Sequence, residues 1–398
     1  MNKPHGDIKA LLLFNPEHDL ALANGQAHFM PPAAAVAFAR EAAILPIWIY
    51  GKGIVITEPI PDSFIQFLSL LNIDIQIIDK KEIVNVLFSE INPWGWDLLL
   101  RNNLLKSGID EKLILSADKI EKIKELSNRK LALKAHETIL KKWPFGEMLP
   151  EAAKFVTKTE ESFSFFDEKR NIIMKMPWSG SGKGLRFCRG EMTAHDKGWI
   201  KNVIERQAGA IIEQRYDVKE DFALEYICKD NNVEFCGYSL FFTQNGAYQG
   251  NYLLSNDAII SKLDSFIDKK DIEFCRDFYK TFLEDEVAPY YNGFVGVDMF
   301  VYEEDNRFKL HPACEINLRS TMGILARRVA DNYIDTNSSG VLLSVYSEKN
   351  GELAAALGAK QTAQPLEISN GKIISGCQPL FPVNNSSHYS IWIEVKKD

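Results

Sequence analysis

The sequence predicts an α/β fold for residues 1–117 and an α+β fold for the residues that follow. Before residue 117, apolar runs of strand length alternate with helical patterns, and a helix-rich stretch follows at residues 118–142. From residue 154 onward the composition becomes rich in strand-forming residues. Alternating strands and helices are typical of βαβ units with a parallel sheet, whereas consecutive strands favour an antiparallel or mixed sheet.

The amino-terminal elements follow one another without long loops. Residues 8–14 form a continuous apolar run, as expected of a buried parallel strand. The elements expected after it are a helix at 33–43, a second strand at 44–50, an amphipathic helix at 63–71 and a third strand at 73–78. A segment rich in turn formers and tryptophan, residues 92–97, ends this alternation.

The second part of the chain begins with helices. Ile120, Ile123 and Leu126 recur at helical spacing, and Ser127 is an acceptable N-cap for a second helix. Strands are then expected at 155–156, 172–176, 185–188, 210–213, 221–228, 233–242, 294–302 and 308–316. In the tail from residue 331 we expect a helix at 353–357 and strands at 372–374 and 389–395.

Composition and charge narrow the functional classes. The 398 residues exceed what one hydrophobic core usually serves, and 46% of them are hydrophobic, which is ordinary for a globular protein. A formal net charge of -8 argues against a general nucleic-acid binder, and the apolar runs are too short to cross a membrane. Six cysteines without Cys-x-x-Cys pairs and no signal-peptide pattern lead us to expect a cytoplasmic protein.

A glycine-rich loop joins two of the predicted strands. Lys175 ends the first strand, and Gly180, Gly182 and Gly184 allow the backbone N–H groups between the strands to approach an anion closely. The spacing fits neither a Walker A loop, because Gly184 follows Lys183, nor the dinucleotide fingerprint. Taken alone, the loop is equally compatible with an ordinary hairpin turn.

Oxygen ligands recur further along the chain. The strand at 210–213 ends in Glu213, and acidic residues follow a few positions later. Asp298 interrupts an otherwise apolar strand, where an unpaired carboxylate would be costly, and it precedes a strand that carries Glu315 and Asn317 on one face. Carboxylate and amide oxygens together with substrate phosphates suit Mg²⁺. An exposed strand face with solvated charges is the alternative interpretation.

In this order and spacing the motifs strongly resemble those of the ATP-grasp superfamily. The resemblance covers roughly residues 118–330 and implies two α+β subdomains that sandwich ATP, preceded by a small α/β pre-ATP-grasp domain at 1–117. We expect residues 331–398 to pack on the ATP-grasp domain. The cofactors implied are ATP and Mg²⁺, with Mn²⁺ as the alternative cation.

The resemblance also implies roles for individual residues. Lys175 is similar to the lysine that binds the α- and β-phosphates, and Arg319 is similar to the catalytic arginine that contacts the transferring phosphoryl group or acyl phosphate. The expected nucleotide-binding residues are Lys134, Lys175, Ser179, Gly180, Ser181, Gly182, Lys183, Glu213, Gln214, Tyr216, Glu220 and Asp221. The expected metal ligands are Asp298, Glu315 and Asn317. Some family ligases carry an arginine just before the metal aspartate, where this chain has Val297.

The activity implied is an ATP-dependent ligase that joins a carboxylate to an amine or thiol through an acyl phosphate and releases ADP and phosphate. A small-molecule kinase and a catalytically silent nucleotide-binding protein are the alternatives. The acceptor is not identified; His18 and Asp19, after the first strand, could contact it, although a structural role is the commoner one for such a pair. His311 is expected to be only a neighbour of the metal ligands. No nucleic-acid or membrane partner is expected, and a homodimer is left open.

Overall fold

The protein is described here by a computed structural model. The structure describes residues 8–146, 149–166, 171–180, 184–244 and 246–398. They divide into two compact units: unit 1 comprises the described part of Met1–Ile120 with Gln249–Ser255 and Arg319–Asp398, and unit 2 comprises Glu121–Tyr248 and Asn256–Leu318. This division differs from the expected one, because it assigns the carboxy-terminal residues to the same unit as the amino-terminal ones.

The helices and strands of the described residues are as follows, in chain order. The helices are α1 (His18–Asn24), α2 (Ala33–Glu41), α3 (Ile47–Tyr50), α4 (Asp62–Leu70), α5 (Leu98–Lys106), α6 (Ala117–Leu126), α7 (Lys130–Lys142), α8 (Ala194–Gln207), α9 (Asn256–Asp264), α10 (Lys269–Glu286), α11 (Met322–Tyr333) and α12 (Glu352–Ala363), with short 3₁₀ turns at Lys80–Asn85, Glu111–Leu113 and Thr159–Phe165. The strands are β1 (Leu11–Leu13), β2 (Lys52–Ile56), β3 (Asp74–Ile78), β4 (Ile91–Pro93), β5 (Lys154–Val156), β6 (Asn171–Lys175), β7 (Leu185–Arg189), β8 (Ala210–Gln214), β9 (Asp217–Lys229), β10 (Asn232–Gln244), β11 (Ala247–Leu253), β12 (Gly293–Glu304), β13 (Arg307–Asn317), β14 (Ser338–Tyr346), β15 (Glu367–Ser369), β16 (Lys372–Pro379) and β17 (Tyr389–Lys397).

Unit 1 contains the predicted parallel sheet. Its strand order is β3-β2-β1-β4, and every pair in it is parallel. The sheet is held by apolar packing, because Leu11, Ile54, Ile78 and Leu104 belong to one buried cluster. The order reverses at β1, between β2 and β4, and such a switch point places a crevice at the carboxyl ends of the strands. The residues that follow β1 and β4 therefore lie where an α/β sheet binds ligands.

The strand expected at residues 44–50 is wrong. The apolar run instead ends in the short helix α3, and the second strand, β2, begins only at Lys52. A short buried strand and a buried helical turn have the same uniformly apolar pattern, so periodicity cannot separate them. Pro46 fits the start of a helix, and Gly51, at φ 73°, adopts the left-handed conformation that ends it.

Unit 1 also contains a group of antiparallel strands. Residues 250–253 of β11 pair with β14, which pairs with β17, and β16 pairs with both β17 and β15. The fully buried Trp48 of α3 donates a hydrogen bond from Nε1 to the Leu380 carbonyl at 2.6 Å. This bond joins the amino-terminal part of the unit to its carboxy-terminal part.

Unit 2 consists of two groups of strands with helices. The smaller is the antiparallel sheet β5-β8-β6-β7, whose core includes Met174, Ile200 and Ile212. The larger group has the order β13-β12-β9-β10 and is also antiparallel. The predicted hairpins β6–β7 and β12–β13 are both confirmed. Among the described residues, the sequence did not predict the strands β4, β11, β14 and β15 or the helices α1, α5, α8, α9, α10 and α11.

The register of the larger group sorts its side chains between two faces. Asp298 is opposite Glu315 and Phe300 is opposite His311, while Phe300 is also opposite Asp221 on the other neighbour. Residues directly opposite one another project to the same side of a sheet. These five residues therefore share one side, which we call the polar face. The other side packs on α10, where Tyr226 Oη donates to the Arg276 carbonyl at 2.8 Å.

Within the described residues, no helix combines the length and the apolar character needed to span a membrane.

Candidate nucleotide site

A buried lysine and a buried glutamate form the base of the candidate site in unit 2. Lys175 ends β6 and Glu213 lies near the end of β8, and the two strands pair so that the Lys175 ammonium forms an ion pair with Glu213 Oε1. Both residues are less than a tenth exposed. Burial alone would lower the pKa of Lys175, yet the nearby Cys314 sulfur and the Glu213 carboxylate raise it above its ordinary value. The site thus keeps a fixed, desolvated positive charge.

The glycine loop begins directly after Lys175. The Met176 amide donates to the Gly184 carbonyl at 2.9 Å, which closes the β6–β7 hairpin around the loop. A Cβ atom on Gly184 would lie 2.1 Å from Ser179 Oγ, so this position admits only glycine. Trp178 anchors the loop base, because its Nε1 donates to the Lys124 carbonyl at 2.8 Å. Ser181, Gly182 and Lys183, which are expected to contact the nucleotide, lie outside the described residues.

Arg129 connects the glycine loop with the acidic residues of β13. Its Nη1 donates to the Met176 carbonyl and to Ser179 Oγ, both at 2.7 Å, and its Nη2 donates to Glu315 Oε2 at 2.8 Å. The side chain is only 6% exposed. A buried guanidinium with this many partners is a fork suited to phosphate or carboxylate oxygens. The sequence interpretation missed Arg129, although it stands in the segment from which Lys134 was chosen.

Lys134, on α7, contacts α10 and not the described part of the glycine loop. Its Nζ is 2.5 Å from Glu286 Oε2 of α10, and its side chain is 55% exposed. The helix begins at Lys130, so Arg129 stands just before its first turn, whereas Lys134 is one turn further along. The structure thus brings Arg129, rather than Lys134, to the glycine loop, and a nucleotide contact by Lys134 stays a prediction.

The three expected metal ligands lie together where β12 pairs with the carboxyl end of β13. Asp298 and Glu315 are register partners, and Asn317 Nδ2 donates to Asp298 Oδ2 at 3.0 Å. Among the described residues no group of three or more His, Cys, Asp and Glu side chains could hold a metal ion. A set of two carboxylates and one amide is nevertheless suited to Mg²⁺, which takes few protein oxygens and completes its shell with phosphate and water. These residues therefore fit the cation that the fold implies.

Aromatic rings line the polar face beyond the carboxylates. The Phe300 ring stacks on His311 with centroids 4.4 Å apart, and Tyr216 lies 5.6 Å from His311 and 4.3 Å from Tyr302. The His136 ring, from α7, packs against His311 at 5.0 Å. The face thus changes from charged oxygen atoms to flat rings along the same two strands.

The remaining expected nucleotide contacts lie on and beside β9. Asp221, on the polar face, accepts a hydrogen bond from Thr243 Oγ1 at 3.1 Å, and burial raises its pKa to about 6. Glu220 pairs with Lys262 at 2.5 Å, and Gln214 Nε2 donates to Glu304 Oε1 at 3.4 Å on the surface. Of these three, only Asp221 shares the polar face with Phe300.

Arg319 belongs to unit 1. Its Nε donates to Asp19 Oδ1 at 2.9 Å, and the amide of the next residue, Ser320, donates to the Trp94 carbonyl at 2.8 Å. Asn15 fixes the same region, since its Nδ2 donates to the Gly95 carbonyl at 2.8 Å. Arg319 is therefore held at the carboxyl ends of β1 and β4, the switch point of the parallel sheet.

The arginine fork of unit 2 leads to a direct test. Replacing Arg129 with methionine is expected to weaken ADP binding about 10- to 100-fold, because a charged hydrogen-bonding group is worth roughly 1.5–3 kcal/mol. Isothermal calorimetry measures this without knowledge of the acceptor. Arg189→Met, an exposed arginine of the same unit, is the matched control. Unchanged affinity in Arg129→Met would remove Arg129 from the site.

Comparison with known proteins identifies the fold of the chain. No protein-family model matches the chain, and no curated protein matches it in sequence. The N5-carboxyaminoimidazole synthetase of Staphylococcus aureus, solved in complex with ADP, is similar at a TM-score of 0.50 and 13% identity over 100% of this chain and 95% of that one. A biotin carboxylase β,γ-ATP complex from Campylobacter jejuni is similar at a TM-score of 0.52 and 13% identity over 98% of this chain and 88% of that one. The chain has the ATP-grasp fold, as predicted.

Proposed function

We propose that this protein is an ATP-dependent ligase that joins a carboxylate to an amine or thiol through an acyl phosphate and releases ADP and phosphate. The observation that supports this best is the convergence of two buried cations, Lys175 and Arg129, with the carboxylates Asp298 and Glu315 in one unit. Cations beside oxygen ligands are the arrangement that a magnesium-bound polyphosphate requires. The two similar structures were solved with ADP and with β,γ-ATP.

The phosphates would be held by Lys175, Arg129 and the amides of the glycine loop. Lys175 is fixed by Glu213 and Arg129 by the loop carbonyl groups, so neither side chain must be ordered on binding. This fixed positive charge would stabilise the charge that spreads over the phosphoryl oxygens in the transition state. Asp298, Glu315 and Asn317 would hold Mg²⁺, which supplies further charge neutralisation when bound.

The carboxylate substrate would attack the terminal phosphoryl group, and the acceptor amine would then displace phosphate from the acyl phosphate. A contact between Arg319 and the acyl phosphate stays a prediction from the resemblance; within unit 1, Asp19 and the Ser320 carbonyl orient its guanidinium by hydrogen bonds at 2.9 and 3.1 Å. An oriented guanidinium loses little freedom on contact with an oxyanion. Positioning and charge stabilisation would therefore supply most of the catalysis.

A trapping experiment tests the proposal. The protein is incubated with Mg-ATP, a panel of carboxylates and hydroxylamine, and both ADP and hydroxamate are measured. A ligase forms both in equal amounts, and ADP formation stops when the carboxylate is omitted. ADP formed together with a phosphorylated product that resists hydroxylamine would contradict the ligase and favour a kinase. A chain that binds nucleotide but forms no ADP with any pair of substrates would favour the silent binding protein.

The raised pKa of Asp221 predicts a pH dependence. Burial raises it to about 6, Glu220 acts in the same direction and the Thr243 hydrogen bond opposes both. If the Asp221 carboxylate accepts hydrogen bonds from the ribose hydroxyls, ADP binds the ionised form better. The dissociation constant then rises as pH falls through about 6, by about tenfold between pH 7 and pH 5.

Calorimetry at several pH values checks this prediction. Asp221→Asn removes the titration of this residue and leaves that of the ligand phosphates, so the difference between the two proteins isolates Asp221. Identical pH profiles for both proteins would exclude Asp221 as a ribose ligand.

A further inference from the structure

A deeply buried glutamate lies in the larger group of strands of unit 2. Glu225 of β9 is 1% exposed, the lowest exposure of any glutamate among the described residues. Removing a carboxylate from water is costly, so such a group is expected to serve a partner or a reaction. Neither the expected nucleotide contacts nor the expected metal ligands include Glu225. Its position in the sheet indicates what it does.

The register places Glu225 on the polar face. It is four residues from Asp221, and the pairing of β9 with β12 is continuous between the two. Side chains four residues apart in a strand project to the same side of the sheet. The next residue, Tyr226, projects to the opposite side, where its hydroxyl donates to the Arg276 carbonyl. Glu225 therefore shares the side of Asp221.

Glycines are opposite Glu225 on both neighbouring strands. Its register partners are Gly296 of β12 and Gly237 of β10. Beyond Gly296, the next residue in the same row is Asn317 of β13, one of the expected metal ligands. Because glycine carries no side chain, no side chain of the sheet stands between the Glu225 carboxylate and the Asn317 amide in this row.

This row lies directly beside the expected metal ligands. Asp298 is opposite Ala223, two residues from Glu225, so the strand spacing places the Cα atoms of Asp298 and Glu225 about 8 Å apart. The rings of Phe300 and His311 lie on the other side of Asp298 along the same strands. A nucleotide with its phosphates at Asp298 and its base toward these flat rings directs its terminal phosphate toward Glu225.

We propose that Glu225 binds the acceptor of the ligase as an ammonium ion, and that the acceptor is therefore a primary amine rather than a thiol. This inference rests on the proposed function and narrows its acceptor class. On the polar face, Asp298 and Glu315 are assigned to the cation, and Asp221 lies at the aromatic end. At neutral pH an alkyl amine is positively charged, whereas a thiol is neutral or anionic, so a buried carboxylate attracts only the amine.

The second step of the reaction then balances. An ammonium must lose a proton before its nitrogen can attack, and the Glu225 carboxylate takes that proton. The nitrogen lone pair forms the bond to the acyl carbon, and the carbon–oxygen bond to phosphate breaks with its electron pair going to phosphate. The second proton of the nitrogen leaves with phosphate. The products are an amide, hydrogen phosphate and a protonated Glu225, which returns its proton to solvent.

The test separates the two halves of the reaction in Glu225→Gln, which keeps the shape of the side chain and removes its charge. Hydroxylamine is uncharged at neutral pH and needs no ammonium site, so hydroxamate reports formation of the acyl phosphate. The variant is expected to form hydroxamate within about threefold of the wild type. With an amine as acceptor, kcat/KM for the amine is expected to fall about 100-fold, because a hydrogen bond between charged groups is lost.

A panel of acceptors tests the class. The amines are spermidine, ethanolamine and the amino acids other than cysteine, and the thiols are coenzyme A and mercaptoethanol. The wild type is expected to couple at least one of these amines and neither thiol. Coupling to a thiol, or to no amine although hydroxamate forms, would overturn the inference and leave the proposed function in place. If the wild type forms no hydroxamate with any carboxylate, the proposed function itself fails.

Two further variants distinguish acceptor binding from a structural role. Glu234→Gln, at an exposed position of β10, is the matched control and is expected to keep wild-type rates with amines and with hydroxylamine. Glu225→Asp keeps the charge but withdraws it by one methylene group, so it is expected to couple amines better than Glu225→Gln.

Thermal unfolding identifies which variants are folded. If Glu225→Gln does not fold, a loss of amine coupling with hydroxamate retained in Glu225→Asp supports the inference. An equal loss of hydroxamate and amine product in the folded variants would assign Glu225 a structural role. Wild-type amine coupling in Glu225→Gln would refute its contact with the acceptor.

Discussion

Replacing Lys175 with methionine is expected to reduce ADP affinity about 100-fold and to destabilise the protein by about 3–5 kcal/mol. The substitution removes the ammonium group and leaves the carboxylate of Glu213, which is 8% exposed, without its counter-ion. Removing one partner of a buried ion pair is costly because the other charge stays desolvated. Calorimetry measures the affinity, and urea denaturation measures the free energy of unfolding.

A double substitution separates the two effects. Lys175→Met combined with Glu213→Leu removes both charges, so stability is expected to return to within about 1–2 kcal/mol of the wild type while ADP affinity stays low. Lys201→Met, at an exposed position of α8 with a side chain that is 71% exposed, controls for loss of one positive charge. ADP affinity that recovers with stability in the double variant would assign Lys175 a structural role alone.

Replacing Glu315 with glutamine is expected to reduce Mg-ATP turnover by at least about 10³-fold, since a cation at a developing phosphoryl charge supplies several kcal/mol. ADP affinity measured without divalent cation is expected to change only a few-fold, because the amide oxygen still accepts from Arg129. Asp298→Asn, opposite Glu315 in the register, should behave in the same way. Turnover is followed by ADP release.

Glu304, a half-buried glutamate at the carboxyl end of β12 that pairs with Lys309 at 2.7 Å, offers the matched control. Glu304→Gln should retain both activity and its response to Mg²⁺. Full activity in Glu315→Gln would show that the carboxylate is not a metal ligand. An equal loss of cation-free ADP binding would show that Glu315 acts by positioning Arg129 instead.

Most strands of unit 2 could be predicted because their signals are local. Neighbouring residues alone indicate that Asp298 interrupts an apolar strand and that Glu315 and Asn317 share one face of the next strand. The register of the hairpin confirms that these two strands are adjacent. The error at residues 44–50 also has a local cause, since that uniformly apolar run carries no periodicity to separate helix from strand. The carboxy-terminal tail was assigned differently because contacts such as Trp48 with Leu380 join residues distant in sequence.

The sequence predicts a residue of the candidate site only where the residue type and its sequence neighbours together indicate its function. Lysine beside a glycine loop does so, and the sequence therefore predicts a role for Lys175. The sequence does not predict a role for Arg129, because that role depends on hydrogen bonds to three residues that are 47 to 186 positions away in the sequence.

The contact between Arg129 and Glu315 affects the sequence of binding events. Before nucleotide arrives, the guanidinium already neutralises the carboxylate, at 2.8 Å and nearly out of solvent. A free divalent cation would have to displace this internal positive charge, so it gains little at the empty protein. Once phosphate oxygens offer Arg129 an alternative partner, Glu315 is released to the cation. Metal and nucleotide are therefore expected to enter together as one complex, and free cation is not expected to bind the protein first.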